Sequence, residues 1–266
     1  LGFVSAILAE SSFEEVMSFA GNHRFSCVEI MCWPSGGKDS RRYAGVTHID
    51  VDDLDAKRIK SIKETCKSHG VYISGLGYYP NPLDPDEASA KVYIEQIKKL
   101  IHAAQALNVP VVNTFIGRDP ARNIAYNLDR FRETWPEIVA LAASHEIKIG
   151  IENCPMLFTD DEWPGGKNLA ISPEIWDKMF DIIPDKNFGL NYDPSHLVWM
   201  HMDEIQPIYD FSDRLHHIHL KDVKVYKKNL DRVGILAYPL QYHSPKIPGY
   251  GDVRWGEFFS ALTSTG

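Results

Sequence analysis

Strand-like and helix-like segments take turns along the whole chain. Short apolar runs read as strands at Gly2–Leu8, Cys27–Met31, Val71–Leu76, Val109–Phe115, Ile147–Glu152, Phe188–Asp193 and Leu215–His219. Between them lie longer stretches in which apolar residues return every three or four positions. Ile59, Ile62 and Cys66 share one face of a helix over 52–69; Ile97, Leu100, Ile101 and Ala104 do so over 86–107. Phe131, Trp135, Ile138 and Leu141 mark a third helix over about 120–144, and a short one follows at about 254–264. Punctuation agrees with these spans. Ser12 with Glu15 forms a capping box for a helix to about Gly21, Gly70 is placed to end the second helix, and Ser172-Pro173 opens the fifth.

Strict β–α alternation predicts a parallel sheet, and seven βα units point to a (β/α)₈ barrel whose eighth unit is missing from the given residues. A seven-stranded ring left open would expose the edges of its first and last strands, which folded proteins avoid. The expectation is one TIM-barrel domain over 1–266, its closing segment beyond Gly266. The alternative is a different α/β sheet that never closes. Long loops at 32–50, 155–171 and 220–252 leave room above the strands.

Composition narrows the picture. At 266 residues the chain fits one large α/β domain, with no internal repeat or low-complexity linker. No apolar run approaches the ~20 residues that span a bilayer. The net charge of −8 argues against a phosphate-backbone binder, so no nucleic-acid or membrane partner is expected. Cys27, Cys32, Cys66 and Cys154 form no CxxC pair and read as free thiols in a reducing compartment, consistent with a cytoplasmic protein.

Candidate chemistry sits at the ends of the fifth, sixth and seventh strands, which terminate in Glu152, Asp193 and His219. Side by side in a parallel barrel, these ends meet at the C-terminal rim, where barrel enzymes keep their active sites. Each has a plainer reading: Glu152 as a salt-bridge partner, Asp193 as a helix cap, His219 as a core histidine. Together they read as ligands of a divalent ion, and an oxygen-rich set with one imidazole suits Mn²⁺, with Mg²⁺, Co²⁺ or Zn²⁺ as alternatives. His196, three residues after Asp193, can turn back over the same rim. His217 shares a strand face with His219, while His216 points the other way. Trp33, Tyr78, Tyr79, Phe115 and Trp163 lie at strand ends or in the following loops, and can wall a sugar-sized pocket or simply pack the loop layer. Arg41, Arg42, Arg118 and Asp119 read as hydroxyl or phosphate contacts or as surface ion pairs. Ser35-Gly36-Gly37-Lys38 lacks phosphate-loop spacing.

At "IGIEN", "NYDPSH", "HIHLKD" and "GYGDVRW" the chain resembles the xylose-isomerase-like sugar isomerase/epimerase superfamily. The resemblance implies a metal held by Glu152, Asp193 and His219, and a fourth ligand, a glutamate, after an eighth strand. That glutamate would pair with Glu152 as acid and base across the sugar. It implies that His196 contacts substrate hydroxyls, and that Lys221 and Asp222 order the rim or its loop. Glu152 and His196 are then the catalytic candidates, with Trp33, Tyr79, Phe115, His196 and Lys221 around a sugar or keto-sugar. The implied reaction is proton abstraction next to a carbonyl through an enediolate; a homo-oligomer stays open as the assembly. Three rivals remain: a 3-keto-glycoside epimerase or lyase within a hetero-oligomer, an apurinic endonuclease, and a non-catalytic partner protein. The nuclease reading is disfavoured by Gly75-Leu76-Gly77-Tyr78 and Thr114-Phe115-Ile116-Gly117, which place no histidine after the third and fourth strands.

Overall fold

Seven strands pair in sequence order, every neighbour parallel: β1 (Gly2–Val4), β2 (Cys27–Met31), β3 (Tyr72–Gly77), β4 (Val111–Thr114), β5 (Lys148–Glu152), β6 (Phe188–Tyr192) and β7 (Leu215–Ile218). A computed structural model describes residues 1–35, 45–157, 160–162, 164 and 166–266; Arg41, Arg42 and Trp163 lie outside them. The connecting helices are α1 (Phe13–Asn22), α2 (Ala56–His69), α3 (Glu87–Leu107), α4 (Ile124–Ser144) and α5 (Pro173–Ile182). Two short helices, α6 (Pro194–Trp199) and α7 (Gln206–Asp210), follow β6. The strands curl into part of a barrel, with β1 and β7 at its two edges.

The periodic segments fold as their sequences predict. Ser12 and Glu15 bond to each other's backbone N–H at the start of α1, and Gly70 ends α2 with φ at 66°, a left-handed conformation that costs glycine little. Inward faces of α4 and α5 pack Phe131, Trp135 and Trp176 against Phe188 and Tyr192 of β6, all fully buried. Both indoles keep a hydrogen bond inside the core: Trp135 Nε1 donates to the Ile116 carbonyl at 3.1 Å and Trp176 Nε1 to that of Ala170 at 2.9 Å.

Some boundaries differ. The first strand stops at Val4, because Ser5 to Leu8 wind into a 3₁₀ turn. The buried Ser5 hydroxyl fixes that turn by accepting from the Met31 N–H at 2.9 Å and meeting His48 Nδ1 at 3.0 Å. The expected helix over 52–69 begins at Ala56, since the Asp55 carboxylate caps the Arg58 N–H at 2.6 Å and leaves Val51–Asp53 as a separate turn.

The excursion after β7 is not one loop. It carries an antiparallel pair, β8 (Asp222–Val225) with β9 (His243–Lys246), and a short helix, α8 (Lys227–Val233), before α9 (Trp255–Thr265). The buried Asp222 carboxylate anchors it, accepting from the N–H groups of Val223, Gly249, Gly251 and Val253 and from Trp255 Nε1, at 2.8 to 3.1 Å. A Cβ on Gly251 would stand 2.1 Å from Asp222 Oδ1, so the chain passes close enough only as glycine. No helix among the described residues is long and apolar enough to cross a membrane.

Candidate active site

Strand register brings the site together. Glu152 ends β5 opposite Asn191 of β6, and Asn191 in turn pairs with His217 of β7, after an irregularity at Leu190/Asn191. Asp193 follows β6 as the N-cap of α6. Its Oδ1 accepts from the Ser195 N–H at 2.9 Å and the Ser195 hydroxyl at 2.6 Å. Two buried asparagines tie the rim. Asn153 exchanges hydrogen bonds with the Asp193 backbone at 2.7 and 2.9 Å, and Asn168 donates to the carbonyls of Glu152 and Cys154 at 2.8 and 2.7 Å.

With those supports in place, charge converges. Lys221 Nζ lies 2.5 Å from Glu152 Oε1 and 2.9 Å from Asp193 Oδ2. His196 Nε2 stands 3.2 Å from Asp193 Oδ2 and 4.0 Å from Glu152 Oε1. Trp199 Nε1 donates to His196 Nδ1 at 3.2 Å, which leaves the ring's proton on Nε2, facing the carboxylates. His219 Nδ1 is 3.2 Å from Glu152 Oε1, and its Nε2 is 2.6 Å from Glu29 Oε2 on β2.

Burial disfavours every charge here, so the shifts report what offsets it. Burial raises the Glu152 carboxyl, but the Lys221 and His219 charges bring it down to about 2. Burial likewise opposes Asp193, and Lys221 with His196 holds it well below the usual carboxylate range. Burial would neutralise His219, whereas Glu29 and Glu152 on either side push it up to about 10. For Tyr79, burial and the two glutamates act together and raise the phenol far above its usual value.

Among the described residues, two groups set three potential ligand atoms within 4.8 Å of one another: Glu152 with Asp193 and His196, and Glu29 with His217 and His219. The predicted trio of Glu152, Asp193 and His219 meets at Glu152; His196 also lies close to the two carboxylates, but with its proton on Nε2 it faces them as a hydrogen-bond donor. The donors fit a divalent ion. Glu152 Oε1 and Asp193 Oδ2 converge on one cationic group, the Lys221 ammonium at 2.5 and 2.9 Å, with His219 and His196 beside them, so positive charge is already held where an ion would sit.

Beside this cluster opens a cavity of about 690 Å³. Glu152, His219 and Lys221 line it, as do Trp33, Tyr79 and Phe115; Phe3 and Val4 of β1, Ile218 of β7 and Leu262 of α9 continue the wall through the gap between the edge strands. Tyr79 and Phe115 pack ring to ring at 4.9 Å, and Trp33 meets Tyr78 edge-on at the same distance. Arg118 and Asp119 serve the neighbouring loops: their backbone N–H groups donate to Asn81 at 2.7 Å and Asn127 at 2.8 Å. Sequence reasoning missed Glu29 and Asn191. Glu29 is a carboxylate inside an apolar strand run, not at its end, and its burial among apolar neighbours is the signal that could have found it.

These features define a barrel with a carboxylate–imidazole cluster at its C-terminal rim. The chain belongs to the xylose isomerase-like TIM barrel family, whose model matches residues 19–266. It is 28% identical over 100 residues to an inosose dehydratase from Clostridium perfringens, a match covering 36% of this chain and 33% of that protein. Among solved structures it is similar to a D-tagatose 3-epimerase-like protein (TM-score 0.70, 23% identity), covering 99% of this chain and 85% of that one. It is also similar to the IOLI protein with a bound zinc atom (TM-score 0.69, 16% identity), with 100% and 84% covered.

Proposed function

We propose that this protein is a divalent-metal-dependent sugar isomerase or epimerase that removes a proton from carbon next to a carbonyl. One observation carries the reading: two buried carboxylates and two imidazoles gather at the rim, beside a cavity walled by Tyr79 and Phe115. Glu152, Asp193 and His219 would hold the ion, with His196 beside them. Mn²⁺ suits the set best and Zn²⁺ is an alternative. A bound cation supplies Lewis-acid stabilisation of the negative charge that develops on the substrate oxygens.

The chain's own residues supply the rest. Glu152, kept ionised, is the base for the carbon-bound proton. His196 presents Nε2–H to the rim and donates to a substrate hydroxyl or carbonyl oxygen. Lys221, which lines the same cavity, reaches the same oxygens, and Tyr79 with Phe115 offers apolar faces to the C–H face of a sugar.

A dehydration of a keto-sugar begins with the same proton removal and ends in loss of a hydroxyl; the Clostridium perfringens relative supports that second reading. A 3-keto-glycoside would be handled by the same step. Metal analysis of the purified protein, then incubation of ketoses and keto-cyclitols in deuterated water, tests both readings. Metal-dependent deuterium uptake at the carbon beside the carbonyl is expected. Uptake with retention of every hydroxyl marks an epimerase or isomerase, and loss of water marks a dehydratase. A protein that binds no divalent ion and exchanges no proton would refute the proposal.

A further inference from the structure

Glu29 is 1% exposed, in the middle of β2, where a charge needs strong reasons to stay. Its oxygens have separate duties. Oε2 lies 2.6 Å from His219 Nε2, and Oε1 accepts the Tyr79 hydroxyl. The room is prepared: a Cβ on Gly77 would stand 2.5 Å from Glu29 Oε1, so glycine there lets the carboxylate and the Tyr79 ring approach.

An ionised carboxylate only accepts hydrogen bonds, and that fixes the direction of the whole chain of contacts. Tyr79 gives its proton to Glu29, so its oxygen accepts from Asn191 Nδ2 at 3.1 Å. The Asn191 carbonyl then accepts from His217 Nδ1–H at 2.9 Å, and His217 Nε2 accepts from the Ser74 hydroxyl at 3.2 Å. His219 likewise donates through Nε2, because the 2.6 Å contact with the Glu29 carboxylate is shorter and charge-assisted, whereas Asn191 Nδ2, 3.1 Å from the same nitrogen, already serves the Tyr79 oxygen. Its other nitrogen, Nδ1, faces Glu152 Oε1, and any cation shared by those two atoms sits on that side.

We infer that Glu29 is a positioning residue: it fixes the ring orientation and tautomer of His219, so that Nδ1 is the atom presented to a metal ion beside Glu152. The inference rests on the metal-binding reading above and assigns a role to a residue on a strand that contributes no ligand to it. Carboxylates that accept the far N–H of a ligating histidine hold the ring in place and raise its basicity; losing one costs about 10–100-fold in metal affinity. Glu29, His217 and His219 also lie close enough for an ion of their own. Their inward-facing atoms already have partners, however, so a cation there would break the contacts just described.

The test uses the full chain, unaltered and with Glu29→Gln, and Zn²⁺ or Co²⁺ alone as the probe. Affinity is read by competition with a chromogenic chelator, and the protonation of each ring nitrogen by ¹⁵N NMR of histidine-labelled protein. The unaltered, zinc-loaded protein is expected to keep the His219 proton on Nε2, with Nδ1 shifted by the metal. Glu29→Gln, while as folded by circular dichroism as the parent, is expected to bind about 10–100-fold more weakly. Equal affinity with an unchanged tautomer in the variant overturns the positioning role while leaving the metal reading intact. So does a stoichiometry falling from two ions to one, which would make Glu29 a ligand. Metal found on Nε2 of the unaltered protein overturns it without any variant. An unaltered chain that binds neither ion overturns both readings together.

Discussion

At Glu152 a single oxygen, Oε1, faces Lys221 Nζ at 2.5 Å and His219 Nδ1 at 3.2 Å. This environment keeps the group a carboxylate at neutral pH without neutralising it by protonation. Glu152→Gln keeps the shape and removes the proton acceptor. Turnover is expected to fall by about 10²–10⁴-fold while the melting curve stays cooperative; unchanged kcat would remove Glu152 from the chemistry. His216, on the opposite face of β7, has a different environment. Its Nε2 is buried over Gly189, whose lack of a side chain makes the space, and has no hydrogen-bond partner among the described residues. Burial, with Lys148 nearby, pushes its pKa from 6.5 down to about 4. The unfolded chain therefore takes up the proton first as pH falls. The contribution of His216 to stability is complete above 6.5 and is lost progressively towards 4. A series of melts from pH 7 to pH 4 should show a shallower decline for His216→Leu than for the parent; parallel curves would contradict this. Residue by residue, what the sequence revealed depended on position within a strand. Glu152 and Asp193 stand where an apolar run stops, so their chemistry could be read. Glu29 stands inside its run, and its partners lie 50 and 190 residues away, a proximity only the folded sheet creates.

Caps and periodicity explain why the helices and seven parallel strands could be placed from the chain alone. Ser12 and Gly70 act within a few residues of themselves, as does Pro173 in the first turn of α5, where Ser172 makes no capping hydrogen bond; such local chemistry survives without tertiary context. The excursion between β7 and α9 had no such signal, because its strands are four residues long and depend on one distant carboxylate. Asp222 serves this element much as a core residue serves a domain. Asp222→Asn turns an N–H group towards donors that need an acceptor, and should destabilise the protein by about 3 kcal/mol. Hydrogen exchange should quicken at Gly249, Gly251 and Val253 before the rest of the barrel responds. Uniform exchange would mean that the excursion is held by other contacts. The same local–distant distinction explains β1, which the apolar run extends to Leu8 but which the Ser5 contacts with Met31 and His48 stop at Val4.

Across the whole molecule, the curled sheet gathers side chains from β2, β5, β6 and β7 at one mouth, and the cavity extends from there between β1 and β7. That arrangement gives Lys221 a second significance. Its ammonium is tethered to the same chain as the two carboxylates it touches, so its local concentration is on the order of millimolar or greater, as for any partner on a short linker. On the proposed metal-binding reading, an incoming ion would have to evict this resident rival before it could bind. Such a site would discriminate by strength, admitting ions that grip carboxylate and imidazole firmly and turning away those that prefer their water. Lys221→Met should reverse the bargain: the metal-free form melts lower, divalent ions bind at least tenfold more tightly, and a hundredfold excess over Kd raises stability by about 2.7 kcal/mol. Equal affinities in calorimetric titrations of the two proteins would show that the lysine never competed.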